Sequence, residues 1–282
     1  MQKVTLLPSL PVGLARIQKD IERLAQIAIR LTSRASADAQ LPVGASKLGG
    51  APDLPPGTAW PAWKNASMSF VAQVQLSDVR PFDAERRLPA SGLLLFFYDA
   101  QQQTYGADPA DRGGWQVPYV AAAQPQLQRA TPPADLPAAS RFRPCALTFS
   151  RVATLPQRPE VLLPQIDWTS AERQLYDDFA TTLPGAADPT APRHQLLGHP
   201  DTLQDDMHLQ CALASNGIGD INDPRAAALA KTAPDWQLLL QIDTDEQAGM
   251  RWGSSGMLYY WIEHAALRRA AMDKSWLVLQ SE

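Results

Sequence analysis

Short apolar runs, separated by polar and proline-rich stretches, are the main pattern along the chain. Runs of this length, bounded by glycine or proline, are typical of strands. In SFVAQVQL and ALTFSRVA polar residues interrupt the apolar ones, whereas GLLLFFYD is apolar almost throughout. The pattern predicts strands near residues 69–76, 92–99, 116–120, 146–153, 236–243, 256–263 and 275–280.

A helical repeat is clearest near the start of the chain, over residues 14–34. Apolar residues recur there every three or four positions, and charges of both signs occupy the other face. This pattern predicts an amphipathic N-terminal helix. Thr169 with Glu172 fits a capping box, and Asp223 before Pro224 is a second start signal. Shorter helices are predicted near residues 205–217 and 264–272.

Three short stretches occur twice in the same order. LGGAPDL, FVAQVQL and GLLLFFYD are followed later by LGHPDTL, LLLQIDT and GMLYYWIE, and Gln73 and Gln241 lie inside corresponding strands. The second set carries an insertion of about 20 residues before Gln241. We therefore predict two related halves, about residues 46–153 and 194–282. Such halves commonly leave a groove at their interface, where ligands bind.

The same stretches carry a family resemblance that spans residues 46–282. They are SKLGGAPDLPPGTAWP, FVAQVQL and LPASGLLLFFYD, then HQLLGHPDTLQDDM, DWQLLLQIDTDE, WGSSGMLYYWI and SWLVLQSE. As a set they resemble the YwqG-like family of mostly bacterial proteins of unknown function. The resemblance implies a β-rich α+β cytoplasmic protein, and it supplies no catalytic residue.

Composition narrows the classes of partner and compartment. The chain has 282 residues, is 45% hydrophobic and carries a net charge of −4, which argues against nucleic acid as a partner. No segment has the length of apolar sequence that spans a membrane, and the N-terminus does not resemble a signal peptide. Two cysteines, Cys145 and Cys211, fit free thiols in a reducing, cytoplasmic setting, although a pair between them stays open.

The loop at residues 46–61 has two interpretations. The prolines that follow its glycines remove the backbone donors that would bind phosphate, which argues against a phosphate loop. It is either a proline-fixed scaffold turn, or it forms the rim of a groove in which Lys47 and Trp60 face a ligand. Gln73 and Gln241, buried in strands, either tether neighbouring loops or bind the ligand as a symmetric pair.

Signals for catalysis are weaker. The sequence contains no GxSxG elbow, and the spacing of its histidines does not match a zinc motif, so we expect neither a metal nor another cofactor. Asp205, Asp206 and His208 form the one cluster that could act in a hydrolase. Cys211 lies one helical turn after His208, but its apolar surroundings favour an inert thiol.

Together these observations predict an α+β fold of mainly antiparallel β-sheets from two pseudo-repeated halves, with peripheral helices and an N-terminal amphipathic helix. We expect an N-terminal helical segment over residues 1–40 and a single domain over residues 41–282. The predicted function is a non-catalytic module that binds an unidentified protein or small molecule. The alternative is a hydrolase that uses Asp205, Asp206 and His208. The sequence leaves the oligomeric state open.

Overall fold

The computed structural model describes residues 7–121, 126–183 and 191–281. The first six residues of the predicted 1–40 segment therefore lie outside the described residues, as does the last residue of the predicted 41–282 domain. The strands are β1 Gln26–Ala35, β2 Lys47–Leu48, β3 Asp53–Leu54, β4 Ala62–Trp63, β5 Ala66–Ser67, β6 Ser69–Gln75, β7 Leu93–Tyr98, β8 Trp115–Gln116, β9 Tyr119–Val120, β10 Gln128–Arg129, β11 Cys145–Thr154, β12 His194–Leu196, β13 Trp236–Asp243, β14 Gly256–Glu263 and β15 Trp276–Ser281.

Helices are short, and they connect or flank the strands. The α-helices are α1 Gln18–Leu24, α2 Leu76–Val79, α3 Pro159–Leu162, α4 Ser170–Thr181, α5 His208–Ser215, α6 Ala226–Leu229 and α7 His264–Arg268. The 3-10 turns are Val12–Ile17, Asp38–Gln40, Pro109–Asp111, Ala138–Ser140, Ala230–Asp235 and Met272–Lys274. The capping box predicted at Thr169 and Glu172 is confirmed at the start of α4. The predicted start at Asp223 and Pro224 is shifted, because α6 begins at Ala226.

An antiparallel sheet of 11 strands organises the molecule. Its order is β15-β14-β13-β12-β1-β11-β2-β6-β7-β8, and β9 pairs with β7 beside β8. The longest pairing joins β1 to β11, where ten consecutive residues of each strand are in register. The predicted α+β class with a mainly antiparallel sheet is confirmed.

The predicted N-terminal helix over residues 14–34 is wrong in its second half. Helix α1 ends at Leu24, and Gln26–Ala35 is the strand β1 at the centre of the sheet. The sequence is ambiguous there because Ile27, Ile29 and Leu31 fit the two-residue period of a strand as well as a helical face. Pairing with β11 on one side and β12 on the other decided the outcome.

The two ends of the sheet pack against each other through aromatic side chains. The rings of Phe96 in β7 and Tyr260 in β14 lie 5.1 Å apart, centroid to centroid. Trp115 and Trp276 make a similar contact at 4.8 Å. All four side chains are buried, so the main core lies between the two ends of the sheet. Within the described ranges no helix combines the length and the apolar character that crossing a membrane requires.

Candidate functional site

Lys47 lies in β2, and Trp60 lies in the segment between β3 and β4. Lys47 is fully buried, and its Nζ donates hydrogen bonds to Asp38 Oδ1 at 2.7 Å and to the carbonyl of Ala51. Burial lowers the pKa of Lys47, and the bond to Asp38 partly offsets this effect. Trp60 is half-buried and donates its indole N–H to the carbonyl of Met68 at 2.8 Å.

The side-chain amide of Gln73 is bonded to Asp53, the first residue of β3, and to Ala45, which precedes β2. Its Oε1 accepts a hydrogen bond from the backbone N–H of Asp53 at 2.9 Å. Its Nε2 donates to Asp53 Oδ2 at 2.7 Å and to the carbonyl of Ala45 at 2.8 Å. Arg129 completes the network with an ion pair of 2.9 Å between its Nε and Asp53 Oδ1. Each polar atom of the Gln73 amide therefore has a partner within the protein.

The same arrangement recurs around Gln241. Its Oε1 accepts from the backbone N–H of Asp201 at 2.9 Å. Its Nε2 donates to Asp201 Oδ2 at 3.1 Å and to the carbonyl of Arg193 at 2.6 Å. Here Arg30 is the cation, at 3.5 Å from Asp201 Oδ2. Gln73 and Gln241 thus make corresponding contacts with an aspartate earlier in the chain and with the backbone carbonyl eight residues before that aspartate.

The backbone next to these networks also matches. Gly49 and Gly50 have φ values of 55° and 70°, and Leu197 and Gly198 have 59° and 71°. In β6 and β13 the pairing register shifts at equivalent places, between Phe70 and Ala72 and between Leu238 and Leu240. The tight bend predicted at Gly49 and Gly50 therefore has a counterpart in the C-terminal part, where a leucine takes a conformation that usually favours glycine.

The structure does not bring the four predicted ligand residues to one place. Lys47 and Gln73 are cross-strand neighbours in β2 and β6. Gln241 lies in β13, and four strands separate β13 from β6 in the sheet. Trp60 packs on Phe97, with 5.8 Å between ring centroids. The amides of Gln73 and Gln241 and the amine of Lys47 hold loops in place.

Of the predicted catalytic cluster, two residues are in contact. His208 Nδ1 lies 2.7 Å from Asp206 Oδ2, and Asp206 Oδ1 accepts the backbone N–H of His208 at 2.9 Å. Asp205 is a surface residue, and its carboxylate pairs with Arg158 at 2.7 Å. Because a carboxylate can only accept, His208 Nδ1 carries a proton and the Nε2 atom is the one left for other partners.

His208 and two further histidines line one small cavity, which we call the histidine cavity. Its volume is about 50 Å³. The ring of His208 packs against Trp261 with 4.7 Å between centroids. The cavity lies where the turn after β12 meets the start of β13, the end of β14 and the starts of α5 and α7. The lining residues used below are Gln26, His199, His208, Trp236, Gln237, Trp261 and His264.

Several polar atoms of this lining lack partners. In the described part of the chain, the indole nitrogens of Trp236 and Trp261 and the Oε1 of Gln237 are buried without a hydrogen bond. A buried donor or acceptor left in this state costs about 1–3 kcal/mol. Buried polar groups without partners are uncommon in folded proteins, so a cluster of them around one cavity indicates a place where a ligand can bind. The histidine cavity is therefore the strongest candidate site.

Burial and neighbouring cations keep two of its histidines neutral near pH 7. The pKa of His199 is lowered to about 4, mainly by burial. The charges of His208 and Arg87 also lower this pKa, whereas the hydrogen bond to the Leu24 carbonyl raises it. Burial, Arg87 and Arg268 lower the pKa of His264. His199 Nε2 lies 2.7 Å from the Leu24 carbonyl and so carries its proton, which leaves the Nδ1 atom as an acceptor.

We expect the free energy of unfolding to fall as the pH falls from 6.5 to 4 because of His199. The folded-state pKa of about 4 lies below the ordinary value of 6.5. In this window the unfolded chain takes up a proton that the folded protein does not, so stability is present above the window and is lost through it. The loss attributable to His199 is at most roughly 3 kcal/mol.

Urea unfolding at pH values from 4 to 7.5, on the wild type and on His199→Gln, would measure this loss. Glutamine can still donate to the Leu24 carbonyl, but it does not titrate. The variant should show a shallower decline between pH 6.5 and 4. Parallel curves for the two proteins would contradict a neutral, buried His199.

The described residues were compared with the arrangements that metal binding and thiol catalysis require. There, no group of three or more His, Cys, Asp or Glu side chains is arranged to hold a metal ion. Cys145 and Cys211 are both buried and unpaired. Burial raises the pKa of Cys145 to about 11, with a contribution from Asp245, and raises that of Cys211 well above its ordinary value. Neither thiol is activated as a nucleophile.

Sequence reasoning identified His208 but not the cavity around it. Gln26, His199, Trp236 and His264 lie far apart in the chain and on different elements. The repeated LGH turn pointed to His199, although only as part of a scaffold motif. No local spacing links it to Trp261 or His264, because their meeting depends on strand order.

Comparison with known proteins places the chain in a family. No curated protein matches the sequence. A family model described as Domain of unknown function (DUF1963) matches residues 46–281, which is most of the chain and includes every residue discussed in the histidine cavity except Gln26. The chain therefore belongs to this family of proteins with a domain of unknown function.

Proposed function

We propose that the protein is a non-catalytic binding module and that a small polar ligand, or the polar tip of a larger one, enters the histidine cavity. The observation that carries this proposal is the set of buried, unpaired atoms on Trp236, Gln237 and Trp261. A ligand that bonded to them would remove a cost of about 1–3 kcal/mol for each atom. Buried unpaired atoms also occur on Arg30, Trp168 and Gln195, but those residues do not line this cavity, whereas three such atoms belong to residues that do.

The module consists, in this proposal, of two related halves. The matching networks of Gln73 and Gln241 support it, as do the equivalent register shifts in β6 and β13. The sheet order gives further support. Outward from the central pair β1 and β11, it runs β12, β13, β14 on one side and β2, β6, β7 on the other.

The groove expected between the halves is a weaker location for a ligand. The rings of Phe96, Tyr260, Tyr98 and Trp252 occupy the space between the ends of the sheet. A depression of about 270 Å³ remains where residues 115–118 meet Asp273 and Ser275. Trp115, which lines it, already donates its indole N–H to the Ser275 carbonyl at 3.1 Å. We therefore favour the histidine cavity over the groove.

A second candidate function rests on the Asp206–His208 hydrogen bond. A histidine oriented by a carboxylate is a common general base, and water in the cavity could be its substrate in a hydrolase. Neither cysteine is an activated nucleophile, and Asp205 points to Arg158 on the surface. The binding module is the better fit, because one acid–base pair alone does not form a catalytic set.

Native mass spectrometry of gently purified protein, compared with its denatured mass, tests the proposal. We expect a small non-covalent adduct on the wild type and its loss in Trp261→Phe, which removes the unpaired N–H and keeps an aromatic ring. The matched control is Trp60→Phe, whose ring packs on Phe97 and whose N–H already has a partner.

Each outcome of that comparison has a meaning. Loss of the adduct in Trp60→Phe, with retention in Trp261→Phe, would instead favour the ligand site first predicted at Lys47, Trp60, Gln73 and Gln241. Turnover of a substrate that disappears in His208→Gln would favour the hydrolase. An adduct of protein mass would show a macromolecular partner.

Two further proposals rest on the sequence. The YwqG-like resemblance covers residues 46–282, nearly the same region as the matched family model, and we retain it as a proposal. A cytoplasmic location is proposed from the free cysteines, which fit a reducing compartment.

A further inference from the structure

We infer that the histidine cavity binds a small oxyanion, a carboxylate or a phosphate group, and that His264 takes up a proton when it binds. The inference rests on the proposed binding function and adds the chemical class of the ligand. Four independent observations support it: the size of the cavity, its unpaired donors, the charges around it, and the contrast with the corresponding place in the N-terminal half.

The cavity has the size of such a group. A water molecule needs about 10–15 Å³ of cavity volume measured in this way. The volume of about 50 Å³ therefore accepts a few atoms of that size. A carboxylate has three heavy atoms and a phosphate has five, whereas a whole nucleotide or sugar would not fit without rearrangement.

Donors without partners are the second observation. The indole N–H groups of Trp236 and Trp261 are buried, unpaired donors and can never accept a hydrogen bond. In the described part of the chain Gln237 Oε1 is also buried and unpaired, and turning this amide by 180° about its last side-chain bond puts the Nε2 donor in that place. His264 makes no side-chain hydrogen bond within the described residues, and its ring is only partly buried. An oxyanion, with several acceptor oxygens, would use all of these groups.

Arginine charges beside the cavity favour an anion there, whereas the Asp206 carboxylate, which is bonded to His208, opposes it. Arg87 anchors its guanidinium on Gln26 Oε1 at 3.2 Å and on the Ile27 carbonyl at 2.8 Å, beside the cavity. Its Nε is buried without a hydrogen bond, although Glu85 lies 3.4 Å away. At His264, burial together with Arg87, Arg268 and His208 outweighs the opposing charge of Asp235. An anion in the cavity would reverse this balance and favour the imidazolium form.

In the N-terminal half, Trp60 occupies the corresponding place. Phe97 in β7 pairs with Phe70, next to the register shift of β6, and Trp261 in β14 pairs with Leu238, next to the register shift of β13. Trp60 packs against Phe97, and its N–H bonds to the carbonyl of Met68 at 2.8 Å. The side chain that fills this position in one half is replaced in the other by His208 and a polar cavity. This difference between two otherwise matching places locates the ligand site in the C-terminal half.

The test is an NMR titration of the full-length protein at pH 7, with the histidine ring ¹⁵N resonances as the signal. Inorganic phosphate, acetate and neutral acetamide are the three probes. We expect phosphate or acetate to move the His264 ring toward the imidazolium range, and acetamide to leave it unchanged. Which of the two anions binds distinguishes a phosphate ligand from a carboxylate ligand. The chain has only four histidines, so His264→Gln assigns the resonance.

Variants distinguish anion binding in the cavity from non-specific anion binding elsewhere on the protein. Trp261→Phe should weaken binding of the anion by about tenfold, because one hydrogen bond to a charged group is lost. His264→Gln should remove the proton uptake and weaken binding more at pH 7 than at pH 8.5. Trp60→Phe should bind as the wild type does. Equal weakening by Trp60→Phe and Trp261→Phe would overturn the location.

Failure of the ligand class and failure of the binding function give different results. Acetamide that binds as tightly as acetate, with sensitivity to Trp261→Phe and no histidine shift, would overturn the anion and leave the cavity as a binding site. If none of the probes binds and the native mass spectrum shows no adduct that depends on Trp261, both proposals are wrong.

Discussion

Replacing Asp53 by alanine is expected to lower the free energy of unfolding by roughly 3–5 kcal/mol. The carboxylate of Asp53 is fully buried. It receives hydrogen bonds from Arg129 at 2.9 Å, from Gln73 at 2.7 Å and from the backbone N–H of Gly44 at 2.8 Å. Alanine would remove this acceptor from all three donors; Gln73 Nε2 would keep the Ala45 carbonyl and Arg129 would keep Asp38, but the Arg129 Nε and the Gly44 N–H would lose the partner described here.

The ionised state of Asp53 is what makes the loss so large. Burial raises the pKa of Asp53, but the bonds from Arg129, Gly44 and Gln73 outweigh it and hold the pKa below its ordinary value. The carboxylate is therefore charged at pH 7. Its stabilising contribution is present above the pKa of the unfolded chain and is lost as the pH falls through the lower folded-state pKa.

Asp201→Ala is the matched control, because Asp201 makes the corresponding contacts with Gln241. Its side chain is 30% exposed and its arginine lies 3.5 Å away, so water can replace the lost acceptor. We expect a cost of about 1 kcal/mol. Urea unfolding of both variants at pH 7 measures the difference. Equal costs for the two substitutions would contradict the structure, which places only Asp53 out of reach of water.

Tyr260→Ala carries the second large expected effect, a loss of roughly 3–5 kcal/mol in the free energy of unfolding. Tyr260 is fully buried in β14, and its ring packs on Phe96 of β7 at 5.1 Å. These strands lie near opposite ends of the sheet, so the contact joins the two parts of the core. Alanine would leave a cavity at that junction.

A conservative substitution and a double-mutant cycle locate the effect. Tyr260→Phe keeps the ring and removes only the hydrogen bond from the hydroxyl to the Phe97 carbonyl, 3.2 Å, and should cost about 1 kcal/mol. Coupling between Tyr260→Ala and Phe96→Leu should be about 0.5–1.5 kcal/mol. Additive losses from the two substitutions would mean that the ends of the sheet do not pack through these rings.

Local sequence was enough to identify most of the elements. The apolar runs at residues 69–76, 92–99, 146–153, 236–243 and 256–263 became strands within one residue of the predicted bounds. Side-chain period and capping chemistry act over a few residues, so their signals are visible in the sequence. The Thr169 capping box is an example, since both of its side-chain to backbone hydrogen bonds join residues only three apart.

The N-terminal segment shows where that reasoning ends. Residues 14–34 fit a helix throughout, and the period of Ile27, Ile29 and Leu31 fits a strand equally well. Only the presence of β11 and β12 on either side made the strand more favourable than the helix, because each side of β1 then finds backbone partners. A local pattern contains no information about such distant partners.

The division between sequence and tertiary structure is sharpest at the candidate site. The sequence by itself determined the β-rich class, most strand positions and the recurrence of the Gln73 and Gln241 stretches, and it named Asp205, Asp206 and His208 as one cluster. Tertiary structure alone decided that Gln73 and Gln241 tether loops, and that His199, His208, Trp261 and His264 share one cavity. The physical reason is that hydrogen bonding and burial at these residues depend on strand order and on side chains far away in the chain, which no local spacing specifies.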